Sequence, residues 1–352
     1  MNFNHRRIQI ALSFIQEYSG DIPFSIYLRR VFRRNQNWGS KDRKFYRNIS
    51  YIYWRIIHQI ETNDDDEIID YLLTQIENNP PLETSPYIKF DLNLTEGVNH
   101  NQLCKWFNIQ APVFLYLLKG KYTLTSGLKT DIKNSFSFNA DTKLDEYVNK
   151  GFGIIQDWSS TASIKYLLEK INPTSIWETC AGAGGKSIVL MNSLDIDRSL
   201  HYTSDIRESI LDNLRNRFLS LGFKAPETQI IDLSDEDSIS KFPKVDIVIA
   251  DMPCSGSGTW RRTPERATFC TNNEIINYSE KQLKYLFNIA NNNKHNYIYY
   301  MTCSIFKAEN EEVINNFTTR YSNYSVEWKK LFHTSQYGGS DFIFGCLLRR
   351  LD

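Results

Sequence analysis

The chain has 352 residues, in which 41 Lys and Arg balance 41 Asp and Glu for a formal net charge of zero. That length allows two or three domains with cores of their own, and the neutral balance does not by itself suggest a nucleic-acid partner. The six cysteines (Cys104, Cys180, Cys254, Cys270, Cys303 and Cys346) are scattered without a CxxC pair or a His-rich cluster, which argues against zinc and against a disulfide scaffold.

Free thiols fit a reducing cytoplasm. No signal peptide is legible, and no apolar run approaches about 18 residues, so no membrane span is expected. The charge is unevenly spread. Residues 1–60 carry eleven Lys or Arg against three acids, most of the excess coming from Arg29, Arg30, Arg33, Arg34, Lys41, Arg43, Lys44 and Arg47. Such a basic arm suits phosphate contact; its plain alternative is a solvated helical face.

Residues 1 to about 120 read as helical. Ile8, Leu12 and Ile15 share one helical face, Leu28, Val31 and Phe32 the next, and Phe45, Ile49, Ile52, Ile56 and Ile57 a third. Asp21-Ile22-Pro23 and Asn37-Trp38-Gly39-Ser40 punctuate them, and Asn79-Pro80-Pro81 with Pro86 reads as a loop. Residues 111–150 mix short apolar runs with Gly and Asp turns and are expected to form a small mixed subdomain.

From 151 to 352 the pattern turns to strand–helix alternation, which implies an α/β domain with a parallel sheet. Strands are expected at Thr174–Thr179, His201–Ser204, Gln229–Ile231, Val245–Ala250 and Tyr297–Tyr300. Helices are expected at Gly185–Leu194, Arg207–Leu221, Asn273–Ala290 and near Asn310–Phe317. Two late strands, Ser325–Trp328 and Phe342–Leu348, close a seven-stranded sheet.

The first of these strands runs into Cys180-Ala181-Gly182-Ala183-Gly184-Gly185-Lys186, a loop whose glycines let a nucleotide-like ligand lie against the backbone. A phosphate-cradling P-loop would need Gly where Cys180 stands, and a dinucleotide fingerprint would need Gly at Ser187; both fail. The second strand ends at Asp205, about 20 residues beyond the loop, where Rossmann-like folds place an acid on ribose hydroxyls. Asp232 and Asp251 follow the third and fourth strands. Any one of these aspartates could be a helix cap, but as a series at one sheet edge they suit a ligand with ribose, adenine and a charged tail.

Two cysteines sit at two strand ends: Pro253-Cys254-Ser255-Gly256 after the fourth strand and Thr302-Cys303-Ser304 after the fifth, the latter followed by Glu309-Asn310-Glu311. A lone Cys is usually a small buried hydrophobe; two in these places point to reactive thiols. On spacing alone either could be the nucleophile.

Together these two motifs resemble the RNA cytosine-5 methyltransferase family of the RsmB/Nop/Sun type. The glycine loop is similar to that family's Cys-Ala-Ala-Pro-Gly-Gly-Lys, with Gly182 and Ala183 replacing Ala and Pro and Glu178 standing where Asp is usual. Gln156-Asp157-Trp158-Ser159-Ser160 resembles its Gln-Asp-x-x-Ser motif, and Asp341-Phe342-Ile343-Phe344 its Asp-Gly-Phe-Phe. Gly39-Ser40-Lys41-Asp42-Arg43 resembles the NusB-like RNA-binding domain of bacterial ribosomal members, which makes residues 1–110 a helical RNA-binding domain. Tyr116 occupies a place where members often carry an RNA-contacting Arg.

The resemblance implies a Rossmann-like methyltransferase fold, S-adenosylmethionine as cofactor and a monomer acting on RNA, small-subunit ribosomal RNA above all. It implies that Cys303 attacks carbon 6 of cytosine as a thiolate, that Asp251 meets the base edge, and that Cys254 promotes loss of the carbon-5 proton. Lys186 is placed to assist from the loop. The cofactor site then comprises Cys180 through Lys186 with Asp205, Asp232 and Asp251. DNA cytosine-5 methyltransferases use a Pro-Cys cysteine resembling Cys254, so the swapped assignment stays open. So do a tRNA substrate, and a silent RNA-binding factor that keeps only the fold.

Overall fold

The computed structural model describes residues 3–57, 60, 62–78, 92–120, 122, 124–194, 200–292 and 294–351; the loop expected around Pro80, Pro81 and Pro86 lies outside them. The chain divides into two units. The first comprises Met1–Asp91, Val98–Gln110 and Trp260–Thr271, and the second Leu92–Gly97, Ala111–Thr259 and Asn272–Asp352.

The first unit is helical: α1 (Phe3–Gln16), α2 (Phe24–Arg34), α3 (Ser40–Ile56), α4 (Asp65–Asn78), α5 (His100–Asn108) and, from far along the chain, α11 (Glu265–Phe269). Helix α2 starts after Pro23, whose ring suits a helix entry, and buries Phe24, Leu28, Val31 and Phe32 at helical spacing. Arg29, Arg30, Arg33 and Arg34 fall on its exposed side. Phe24, Trp54 and Phe269 meet Tyr18 edge-on, with centroids 4.9, 5.8 and 5.3 Å away, the geometry that aromatic quadrupoles favour. Phe269 thus ties α11 to the first unit's core. Buried Arg55 donates to the carbonyls of Tyr51 and Arg261, both at 2.9 Å, the second bond tying down the same late segment.

The second unit holds two sheets. Strands β1 (Val113–Leu117), β2 (Leu128–Lys129), β3 (Ser135–Phe138) and β4 (Gly153–Ile155) form an antiparallel sheet in the order β2-β3-β1-β4. Helix α6 (Asp145–Asn149) lies in the chain between β3 and β4, and α7 (Trp158–Lys170) follows them, capped by Asp157, whose side chain accepts the Ser159 N–H.

The larger sheet contains β5 (Ile176–Thr179), β6 (His201–Asp205), β7 (Glu227–Ile230), β8 (Ile247–Asp251), β9 (Tyr297–Thr302), β10 (Tyr324–Phe332) and β11 (Ile343–Arg350), in the order β10-β11-β9-β8-β5-β6-β7. Strands β5 to β9 are parallel; β11 and β10 are added antiparallel at one edge. This is the seven-stranded α/β fold expected from the sequence.

Side chains alternate across the large sheet. Trp177, Val248, Ile298 and Tyr300 face a core built with α10 (Glu236–Ser240), α12 (Asn272–Asn291) and α13 (Glu311–Arg320). Ile176, Ile247, Ile249, Tyr299 and Met301 face a second core built with α7, α8 (Gly185–Ser193) and α9 (Glu208–Ser220). Helices on both faces explain why β8 is apolar along almost its whole length. Strand order reverses between β5 and β8, and at such a switch point the loops diverge and leave a crevice at the carboxyl ends. Among the described residues no helix is long and apolar enough to cross a membrane.

Candidate functional site

The carboxyl ends of β5, β8 and β9, three adjacent strands, bring Lys186 to Asp251 and Cys254 to Cys303, while Asp205 ends β6 and Asp232 follows β7 on the other side of β5. The glycine loop leaves β5 through Cys180, Gly182 and Gly184, all with positive φ (52°, 56° and 76°). Gly184 is obligatory for a second reason: a Cβ there would stand 2.8 Å from Leu214 of α9. A Cβ on Gly185 would overlap the side chain of Gln156, so the Gln-Asp motif packs on the glycine loop. At Gly182 the space is open, and the backbone there can be approached by a ligand. Burial first, then the charges of Asp205 and Asp251, push the Cys180 thiol up to about 12, which makes it an inert thiol.

Asp205 ends β6 and is buried. Its Oδ2 accepts the Gly182 N–H at 3.2 Å, so it braces the glycine loop. Arg207, whose side chain is more than half exposed, covers the same carboxylate: its backbone N–H and Nε donate to Oδ1, both at 3.0 Å, and Nη2 to Oδ2 at 3.2 Å. Burial opposes ionisation of Asp205, but the Arg207 bonds outweigh it and hold the carboxyl below its ordinary range. Asp232 lies two residues beyond the end of β7, where its carboxylate accepts the Ser234 N–H at 2.8 Å. The Tyr285 phenol is raised chiefly by burial and next by the charge of Asp232.

At the end of β8, Asp251 Oδ2 accepts a hydrogen bond from Lys186 Nζ at 2.7 Å. Burial disfavours the ammonium, but this carboxylate more than compensates and raises Lys186 above its usual value. The two cysteines are in contact: Cys254 Sγ and Cys303 Sγ are 3.3 Å apart. The contact with Cys303, then burial, then the charges of Cys303 and Glu309 push the Cys254 thiol well above its ordinary range.

Their loops are tied together by the Gly258 N–H, which donates to the Cys303 carbonyl at 2.8 Å, and by Ser257 Oγ, 3.2 Å from Ser304 Oγ. Gly258 has no room for a Cβ, which would stand 3.0 Å from the Cys303 carbonyl and overlap that of Phe342. The Phe342 N–H bonds the Gly258 carbonyl in turn, and the Asp341 N–H donates to Asp157 at 3.2 Å. Four separated sequence motifs therefore form one constellation.

Tyr116 is buried, and its hydroxyl accepts from Asn192 Nδ2 at 3.0 Å; it fills a core position and presents no polar group outward. Glu178, where an Asp was the usual residue, pairs at 2.5 Å with His201 on the neighbouring strand, both fully buried. The sequence reading assigned no role to Arg207, Gln282 or Glu309. Glu309 was visible two places before Glu311 in the run after Thr302-Cys303-Ser304, but only the fold reveals its contacts. Among the described residues no group of three or more His, Cys, Asp and Glu is placed to hold a metal ion.

A family model described as 16S rRNA methyltransferase RsmB/F matches residues 165–342. The chain is 28% identical over 200 residues to a probable ribosomal RNA small subunit methyltransferase B of Coxiella burnetii, covering 56% of this chain and 45% of that protein. It is 25% identical over 213 residues to the protein of the same name from Bacillus subtilis, covering 56% and 47%. The chain thus spans about half the length of these curated relatives. Among solved structures, PH0851 shares the fold with a TM-score of 0.73 at 15% identity, over 99% of this chain and 100% of that one. A methyltransferase homologue from Pyrococcus horikoshii does so with a TM-score of 0.56 at 16% identity, over 86% and 99%.

Proposed function

Because this chain belongs to the 16S rRNA methyltransferase RsmB/F family, we propose that it transfers the methyl group of S-adenosylmethionine to carbon 5 of a cytosine in small-subunit ribosomal RNA. The observation that carries this reading is the Cys254–Cys303 contact at the ends of two adjacent parallel strands, beside the Lys186–Asp251 pair. A small-molecule methyltransferase would use the glycine loop and Asp205 but has no need of two thiols in contact.

The cofactor residues fit the proposed ligand. Gly182 offers open backbone, and Asp205 lies at the end of the neighbouring strand with its carboxylate directed to that loop. Asp205 would take the ribose and the Cys180–Lys186 backbone the amino-acid tail, with Asp232 and Asp251 at the neighbouring strand ends. When bound, S-adenosylmethionine supplies an electrophilic methyl group on a sulfonium.

Cytosine carbon 5 is a poor nucleophile until a thiolate adds at carbon 6 and pushes the ring electrons to carbon 5. Cys303 would supply the attacking thiolate, while Cys254, 3.3 Å away and held well above its ordinary range, stays a thiol. Asp251 meets the base edge, steadied by Lys186. Once Cys303 is bonded to carbon 6 its charge is gone, and with it two of the causes that hold the proton on Cys254. Cys254 can then lose its own proton to solvent and, as thiolate, take the carbon-5 proton; the electrons left behind restore the ring double bond and expel the Cys303 thiolate. The base must be single-stranded or flipped out to reach these groups.

Transfer of labelled methyl from S-adenosylmethionine to ribosomal RNA lacking the modification tests the reading. The wild-type chain should label small-subunit RNA, bisulfite sequencing should locate the product at a cytosine, and Cys303→Ala should abolish it. RNA binding without any methyl transfer would replace this reading with that of a silent RNA-binding factor.

A further inference from the structure

We propose that Glu309 is the positioning residue that holds the Cys254 and Cys303 loops at their working separation, an inference that rests on the function proposed above. Glu309 closes the 3-10 turn Lys307–Glu309 between β9 and α13 and is fully buried. Its Oε1 accepts the Ser255 N–H at 2.8 Å and Gln282 Nε2 at 3.2 Å. Its Oε2 accepts Ser255 Oγ at 2.6 Å and Ser304 Oγ at 2.5 Å.

Ser255 and Ser304 are the residues directly after Cys254 and Cys303. One carboxylate therefore grips both cysteine loops one residue from each sulfur. Its remaining partner serves the same end: Gln282 Nε2 also donates to the carbonyl of Pro253, the residue directly before Cys254. The Tyr300 hydroxyl, with one proton to donate, lies 2.6 Å from the Glu309 carbonyl and 2.9 Å from Gln282 Oε1, so β9 itself braces this end of the site.

Burial pushes the Glu309 carboxyl up, the bonds from Ser255, Ser304 and Gln282 work against that rise, and since none of these donors is a cation the charged form is favoured by dipoles alone, which requires every acceptor site to be filled. Four donors fill the roughly four lone-pair directions of a carboxylate. Glutamine has the same shape but accepts at only one end, so its amide nitrogen must face either the Ser255 N–H with Gln282 Nε2 or the two serine hydroxyls, and one of the two pairs of bonds is lost. The charge has a second consequence, since it is among the causes that keep the proton on Cys254.

The test uses the full chain with Glu309→Gln, Glu309→Asp and Ser304→Ala. Methyl transfer by Glu309→Gln should fall by at least about tenfold, with KM for RNA and for S-adenosylmethionine within about twofold of wild type and the unfolding midpoint little changed. Glu309→Asp keeps the charge but loses a methylene of reach, and should not restore turnover. Ser304→Ala frees one loop only and should give a smaller loss with KM again unchanged; it carries the test if Glu309→Gln does not fold.

Thiol geometry is read independently with dibromobimane, which fluoresces when it bridges two neighbouring thiols, against a Cys254→Ala blank. Bridging should drop by at least about threefold in Glu309→Gln. Full turnover in Glu309→Gln, rescue by Glu309→Asp, KM rising in step with lost turnover, or unchanged dye bridging would each overturn the proposal. If the wild-type chain transfers no methyl group, the proposed function fails, while the dye measurement still decides the role of Glu309.

Discussion

Four protein donors converge on the carboxylate of Asp205, three of them from the exposed Arg207. On the proposed reading, a ribose diol at this acid would need acceptor sites that the guanidinium fills, so Arg207 is expected to swing out for the cofactor. Asp205→Ala should weaken S-adenosylmethionine by at least about tenfold, on the order of 1.4 kcal/mol by calorimetry. Arg207→Ala should bind at least as tightly as wild type; equal weakening in both variants would show that the two act as one structural pair. The acid was legible from its spacing beyond the glycine loop, because the fold fixes where a second strand must end. Its Arg partner was not, because nothing in the local sequence says that a side chain two residues on folds back. Tyr116 and Glu178 teach the same lesson: what looked like departures from a pattern are residues with buried partners, Asn192 and His201, 76 and 23 residues away.

At the scale of elements, the large sheet was readable because strands covered on both faces are apolar along their length, and Gly, Asp and Ser mark their ends. Strand β10 was expected at four residues and spans nine, because its outward positions include Lys329 and Lys330 and a bulge between Val326 and Trp328 breaks the alternation. Helix α7 and strand β4 were not anticipated; β4 is three residues long and buried largely through β1.

Helix α2 keeps its four arginines on the exposed side, which is what a phosphate-binding face requires. Arg33→Glu with Arg34→Glu should weaken RNA binding and flatten its salt dependence; an unchanged salt slope would make the face a solvated one. Beyond α12, His295 is buried against the Tyr324 hydroxyl at 2.9 Å, and burial, then Arg350, lower it from 6.5 to about 3. The unfolded chain takes up a proton that the folded one refuses. Stability is therefore complete above the unfolded value and is lost as pH falls towards the folded one, by on the order of 1 kcal/mol per pH unit. His295→Gln should lose less unfolding temperature than wild type on going from about pH 7 to about pH 5; identical losses would remove His295 from the acid response.

At the scale of the whole molecule, local pattern is a poor guide to which unit a segment joins. Trp260–Thr271 lies between the Cys254 and Cys303 loops in sequence and belongs to the helical unit, through Phe269 packed on Tyr18 and Arg55 bonded to the Arg261 carbonyl. No periodicity in twelve residues could announce that. The grouping of the candidate residues, by contrast, was largely legible, since parallel strands deliver their carboxyl ends to one edge whatever lies between them. What stayed open, on the proposed reading, is which cysteine would attack, because both lie at that edge and their sulfurs touch. The direct measurement is the covalent species that each mutant accumulates with cytosine-containing RNA and S-adenosylmethionine, read on a denaturing gel and located by mass spectrometry. Cys254→Ala should attack, methylate and then stall as a shifted band with RNA attached through Cys303, while Cys303→Ala should give neither band nor product; an adduct in Cys303→Ala and none in Cys254→Ala would contradict the account.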